Sequence, residues 1–211
     1  MKFKRLLVAT LFTLSLTACD SNEPFSEGTD YRELGFVNKS KTPQVVLFFS
    51  AACPHCYKFD KLFETWVIKK PKDVIVERIP VNFGHESWKS LQQTYATMRA
   101  LNIQDEMSLA MFEAVQDKKI WLGDELSVSS WLSSHGYDVN KAREAFNSER
   151  VNDLLGAYYA SEARYKVRDI PRLIVNGKYE IKIKQIKGET ADIREAKLKD
   201  IIDYLLVKEE E

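Results

Sequence analysis

Two cysteines stand close together in the stretch FFSAACPHCYKF (48–59): Cys53 and Cys56, with only Pro54 and His55 between them. Three chemistries use such a pair: a zinc clip, a structural disulfide, and a disulfide that forms and breaks in use. Zinc needs four ligands. Beyond Cys53, Cys56 and His55 the chain offers only His85 and His135, and no second cysteine pair. A structural disulfide closing so short a loop restrains little of the unfolded chain. The redox reading is therefore the favoured one.

A reactive cysteine needs its thiolate, which backbone N–H groups and the positive end of a helix dipole stabilise. The elements on either side supply that setting. QVVLFFS (44–50) is a continuous apolar run, the mark of a strand buried on both faces. After it Phe59, Leu62, Phe63, Trp66 and Val67 recur at helical spacing until a proline stop in KKPK (69–72). Cys53 falls at the junction, and Pro54 suits the first helical position because no needed N–H is lost there. Cys53 is thus the expected reactive sulfur, and Cys56, within the first turn and partly covered, its partner. His55, if charged or donating a hydrogen bond, favours the Cys53 anion; as a plain surface residue it does nothing. Whatever stabilises the reduced form makes the disulfide a stronger oxidant, so the expected direction is donation of the disulfide.

VIVERIPVNF (74–83) reads as a second strand, giving strand, helix, strand, a βαβ unit. From 86 to 166 the apolar residues recur at helical spacing with no strand signal, and Asp138 is placed to cap a short helix ending near Phe146. PRLIVNGKYEIKI (171–183) reads as two short strands around the hairpin turn Asn176-Gly177, and a last amphipathic helix covers about 192–206. Tyr95, Met98, Met107, Met111 and Phe112 in the helical block are expected mostly in the core, with a minority bordering an apolar groove for unfolded chains. His85 is expected in a loop or at a helix start and His135 near a helix C-terminus, neither with a role.

The first residues carry a basic start (Lys2, Lys4, Arg5) and an apolar run from Leu6 to Leu16, the pattern of an export signal. The run falls well short of the roughly 20 residues that span a bilayer. Leu16-Thr17-Ala18-Cys19 resembles the lipobox of bacterial lipoproteins, which implies a lipid on Cys19, and Asp20 after it implies retention at the inner membrane. Cleavage there leaves about 190 residues, enough for one domain or one domain with an insertion. The polar segment that follows reads as a tether. Lys plus Arg and Asp plus Glu number 31 each, which gives no sign of a nucleic-acid partner. With Cys19 lipidated, Cys53 and Cys56 are the remaining thiols in a compartment where disulfides persist.

FFSAACPHCYKF, VNF (81–83), MRAL leading into MFEAVQ, and VRDIPRLIVNGKY (167–179) together resemble the DsbA family of bacterial thiol:disulfide oxidoreductases, in the same order over about 35–208. The resemblance implies an α/β chain, a thioredoxin-like fold (41–84 and 167–208) with an inserted α-helical domain (85–166), preceded by a signal peptide (1–18) and a lipidated tether (19–40). It implies that Cys53 is the nucleophile, that Pro54 and His55 tune it, that Cys56 is the buried partner, and that Ile170 and a cis Pro171 line the substrate chain. It implies no cofactor beyond the disulfide. It further implies a monomer in the bacterial periplasm that oxidises reduced unfolded exported proteins and is itself reoxidised by a DsbB-like membrane quinone reductase. The family's buried acid six positions before the first cysteine is here Leu47, and the lysine that faces it is Arg78. Two rivals remain: a reductase or isomerase of the same fold, and a substrate-binding module whose disulfide is incidental.

Overall fold

The computed structural model describes residues 23–209, so the signal segment, Cys19 and Asp20 lie outside the described residues. The strands are β1 (Tyr31–Glu33), β2 (Gln44–Phe49), β3 (Ile75–Pro80), β4 (Arg172–Val175) and β5 (Tyr179–Ile181). They form one sheet in the order β1-β5-β4-β2-β3, with β2 and β3 parallel and the other neighbours antiparallel. β2 and β4 run through the centre. Val45 to Phe49 and Leu173 to Val175 are buried, which is why these segments are apolar without alternation, and the buried Arg172 that opens β4 is paired with Glu180.

The parallel pair β2 and β3 is joined by α1 (Pro54–Val67), the expected βαβ unit. Between β3 and β4 come α2 (Glu86–Ala100), α3 (Gln104–Phe112), α4 (Glu125–Ser134), α5 (Val139–Phe146) and α6 (Glu149–Arg164), so the helices are inserted into the thioredoxin-like sheet. The starts of α4, α5 and α6 are set by side-chain caps: Asp124 and Ser127 form a capping box on α4, Asp138 accepts from the N–H groups of Asn140 and Lys141, and Ser148 accepts from that of Val151. His85 sits at the start of α2 and His135 at the end of α4. The insertion meets the sheet where α2 and α6 contact β3. The last helix, α7 (Ala191–Val207), packs on α1, where the Trp66 indole donates to Asp203 at 3.1 Å.

The chain turns from β4 to β5 through Asn176 and Gly177, with φ of 50° and 69°. Two successive positive φ values close a tight hairpin whose twist matches its strands, and Lys178 N–H donates to Val175 C=O at 3.1 Å across it.

Two expectations are corrected. The segment 19–40 is not all tether, because β1 lies within it and pairs with β5. Three residues of YRE carry too little pattern to announce a strand. It is recruited by tertiary contacts: Tyr31 is buried edge-on against Tyr179 with ring centroids 5.9 Å apart, and Leu34 N–H donates to Lys178 C=O. Second, Tyr95, Met98, Met107, Met111 and Phe112 are all buried in the core, and none borders a groove.

Candidate redox site

Cys53 ends the turn after β2 and is the N-terminal capping residue of α1, in extended conformation at φ −89° and ψ 115°, with Pro54 next in the first turn. Its N–H donates to Ser50 C=O at 3.0 Å, and its own C=O accepts from Tyr57 N–H at 3.2 Å. The free N–H groups of the first helical turn therefore face the Cys53 sulfur. Both cysteines are free thiols in this structure. Cys53 is half-buried and Cys56, on the inward face of the helix, is 1% exposed, while Pro54 and His55 face solvent.

The two thiols are driven apart electrostatically. Cys53 is lowered from 9.0 to about 6, chiefly by the hydrogen bond from Cys56, with burial opposing; the backbone N–H groups of Cys56 and His55 and the His55 charge add to the lowering. Cys56 is pushed far up, first by burial and then by its hydrogen bond to Cys53, with the Asp60 carboxylate contributing. One sulfur is thus prepared to carry charge at neutral pH and the other to hold a proton.

Below the pair lies a buried ion cluster that the sequence did not announce. Leu47 and Arg78 are opposite each other in the β2–β3 register, so Arg78 faces no carboxylate from β2. Its guanidinium instead turns to α1, where it pairs with Asp60 at 3.0 Å and with Glu64. Both acids lie along α1 beyond Cys56, at one-turn intervals.

Beside the pair, the Ile170–Pro171 peptide bond is cis, as the resemblance implied. These two residues and His55, Phe59 and Leu62 of α1 line a groove of about 540 Å³, closed by Ile183 and Ile186. Lys58 and Lys184 stand on its walls with Asp169. The apolar lining thus comes from α1 and the segments flanking β4 and β5, not from the helical block.

The helical block reaches the site elsewhere. α3 runs into a π-helical turn, Glu113–Asp117. From it Gln116 Nε2 donates to the C=O of Ala51 at 2.7 Å and to that of Cys53 at 3.0 Å. Its neighbour Asp117 accepts from the Tyr57 hydroxyl at 2.7 Å, and Phe112 stacks on the Tyr57 ring at 5.4 Å. Sequence reasoning passed over Gln116 and Asp117. The only available signal was the MFEAVQ stretch, since no local pattern reports a contact across more than 60 positions. Among the described residues no three His, Cys, Asp or Glu side chains converge as metal ligands.

Residues 44–191 match the model of the DSBA-like thioredoxin domain family. The chain is 30% identical over 207 residues to the thiol:disulfide interchange protein DsbA of Pseudomonas syringae pv. tomato, covering 97% of this chain and 92% of that one. It is also 30% identical to the protein of the same name from Yersinia pestis, with 96% of each chain covered. Among solved structures, Pseudomonas aeruginosa DsbA superposes with a TM-score of 0.73 at 28% identity, over 86% of this chain and 93% of that one. A Proteus mirabilis DsbA holding the non-covalently bound peptide PWATCDS does so at 0.78 and 26% identity, over 87% and 99%.

Proposed function

Because the chain belongs to the DSBA-like thioredoxin domain family, we propose that it is a protein dithiol oxidase whose Cys53–Cys56 disulfide is passed to reduced, unfolded exported proteins. The observation that carries this reading is the asymmetry of the two thiols, one lowered to about 6 and the other raised by burial. A stabilised Cys53 thiolate stabilises the reduced form, and the disulfide is the stronger oxidant for it.

In the reaction a substrate thiolate attacks the Cys53 sulfur. A mixed disulfide forms, the Cys53–Cys56 bond breaks, and Cys56 leaves and takes a proton. A second substrate thiolate then attacks the substrate sulfur of the mixed disulfide, and Cys53 leaves as the stabilised thiolate. Two electrons pass from the substrate pair to the enzyme pair, and the redox-active disulfide is the only redox group needed. Pro54 and His55 tune Cys53, and Ile170 and Pro171 hold the extended substrate chain along the groove. The peptide held by the Proteus mirabilis relative supports binding of a substrate chain.

The same reading puts the protein in the bacterial periplasm as a monomer, tethered by lipid on Cys19 to the inner membrane. The lipobox-like Leu16–Cys19 run and Asp20 support the anchor. The reduced pair has to be reoxidised in each cycle, which supports a DsbB-like membrane quinone reductase as the partner. The test is the equilibrium of the pair with glutathione, on a form starting after Cys19. A potential near the DsbA reference of about −120 mV is expected; one near that of thioredoxin, about −270 mV, makes the protein a reductase.

A further inference from the structure

Two carbonyls of the turn that carries Cys53, those of Ala51 and Cys53, are both capped from the helical block by one side chain. The two N–H groups of a primary amide match this pair of acceptors, and its oxygen could serve neither. Gln116 spans them at 2.7 and 3.0 Å. It projects from the π-helical turn Glu113–Asp117, and the Tyr57–Asp117 and Tyr57–Phe112 contacts fix that turn against α1. Single π turns inside α-helices recur at functional sites, because the extra residue redirects the side chains that follow it.

We propose that Gln116 is a positioning residue for the disulfide exchange, holding the Cys53 turn from the helical block so that this block, and not the thioredoxin-like part alone, sets the oxidising strength of the pair. The proposal rests on Cys53 being the exchanging sulfur. Its physical basis is the orientation of two dipoles. The negative ends of the Ala51 and Cys53 carbonyls belong to the same turn as the sulfur. While Gln116 donates to them they are neutralised and directed at the amide. Without it the Ala51 carbonyl loses this donor and the Cys53 carbonyl is held by Tyr57 N–H alone, and each rotation of these dipoles toward the sulfur disfavours a thiolate there and the reduced form with it.

The experiment compares the wild-type protein with Gln116→Ala, Gln116→Glu and Tyr57→Phe, each in the full two-part fold. The Cys53 titration is followed by thiolate absorbance and the pair is equilibrated with glutathione. Gln116→Glu keeps the shape of the side chain while replacing its donors by acceptors, so it reports even where Gln116→Ala fails to fold. The expected result is a raised Cys53 pKa and an oxidation equilibrium about tenfold weaker in Gln116→Ala, the worth of a lost hydrogen bond, or about 30 mV. A larger change is expected in Gln116→Glu. Tyr57→Phe, which cuts the bond to Asp117 but leaves the Gln116 amide and its donors in place, should lower stability while shifting both redox readouts less than Gln116→Ala does. If the Gln116 variants lose stability as Tyr57→Phe does but keep the wild-type pKa and equilibrium, the residue is structural and the proposal is overturned. The oxidase reading is judged separately, by the wild-type potential in the same experiment.

Discussion

Arg78 and Asp60 meet 3.0 Å apart in the interior, each side chain 3% exposed, one helical turn beyond Cys56. Burial pushes the Asp60 carboxyl up while the guanidinium pulls against it, and the same ion pair holds Arg78 protonated. Removing one member of such a pair strands the other's charge. Arg78→Met is expected to cost about 3–5 kcal/mol. Asp60→Leu should cost less, because Glu64 still pairs with Arg78. The double variant should cost clearly less than the sum of the two. Urea denaturation of the four proteins checks this.

The low Cys53 value makes both reactivity and stability depend on pH. Its folded value of about 6 lies below its ordinary 9.0. A group depressed on folding stabilises the fold fully above its unfolded value and loses that stabilisation as pH falls through the folded one. The reduced protein should therefore gain stability from pH 6 to pH 9. The oxidised protein has no thiol to titrate and should show no such gain. Cys56, raised on folding, opposes the trend only above about pH 9. Denaturation of both redox forms across this range, with the rate of Cys53 alkylation rising through pH 6, tests the assignment.

The division of labour between the sulfurs predicts opposite outcomes for their replacement. Cys53→Ser removes the sulfur that substrates attack and should abolish exchange. Cys56→Ser leaves the half-buried, activated Cys53 without its partner. Mixed disulfides formed there then have no internal thiol to release them, and should accumulate on gels run without reductant. Full activity in Cys53→Ser would sink the site assignment.

Where a pattern is local, the sequence was enough. The apolar run before Cys53, Pro54 in the first turn of α1 and Asn176-Gly177 at the hairpin act through their own neighbours in the chain. Asp138 likewise caps α5 through N–H groups two and three positions on. What escaped depends on distant partners. β1 exists because β5 offers an edge to pair with. The substitution of Leu47 and Arg78 was visible, but the turn of Arg78 toward Asp60 and Glu64 required knowing which face of α1 is buried. By their spacing Tyr95, Met98, Met107, Met111 and Phe112 of the helical block are mostly core residues. Apolar periodicity cannot tell a core face from a binding face, however, so it leaves open a minority at a groove, where the structure has none of the five. Those five side chains are packed into the core, and the apolar groove next to the redox pair lies beside Pro171.

Asn176 joins three parts of the chain. From its positive-φ position its Nδ2 donates to the C=O of Leu205 and Leu206 near the end of α7, and its Oδ1 accepts from Gln44 N–H at the start of β2. It is 2% exposed, so nothing in solvent replaces those bonds. Asn176→Ala should cost about 2–3 kcal/mol through unsatisfied buried groups. Asn176→Gly keeps the turn but loses the same bonds, and should recover only the backbone part of the loss. Thermal melting of the two variants separates the contributions.

The groove beside Cys53 has an apolar floor and a basic rim. Phe59, Leu62 and Ile186 offer contacts that any unfolded segment can use, whereas Lys58 and Lys184 outnumber the single nearby acid, Asp169. All three charged residues are exposed, so their field acts on the approach of a chain more than on its final hold. Reduced peptides with Glu on both sides of the cysteine should be oxidised faster than those with Lys, by roughly tenfold at low ionic strength. The difference should shrink as salt screens the rim. Replacing both rim lysines (Lys58→Glu with Lys184→Glu) should invert the order while leaving the glutathione equilibrium of the pair unchanged. Stopped-flow oxidation of matched peptides measures all of this. Equal rates for the two peptides at every salt concentration would mean that the apolar floor alone selects substrates.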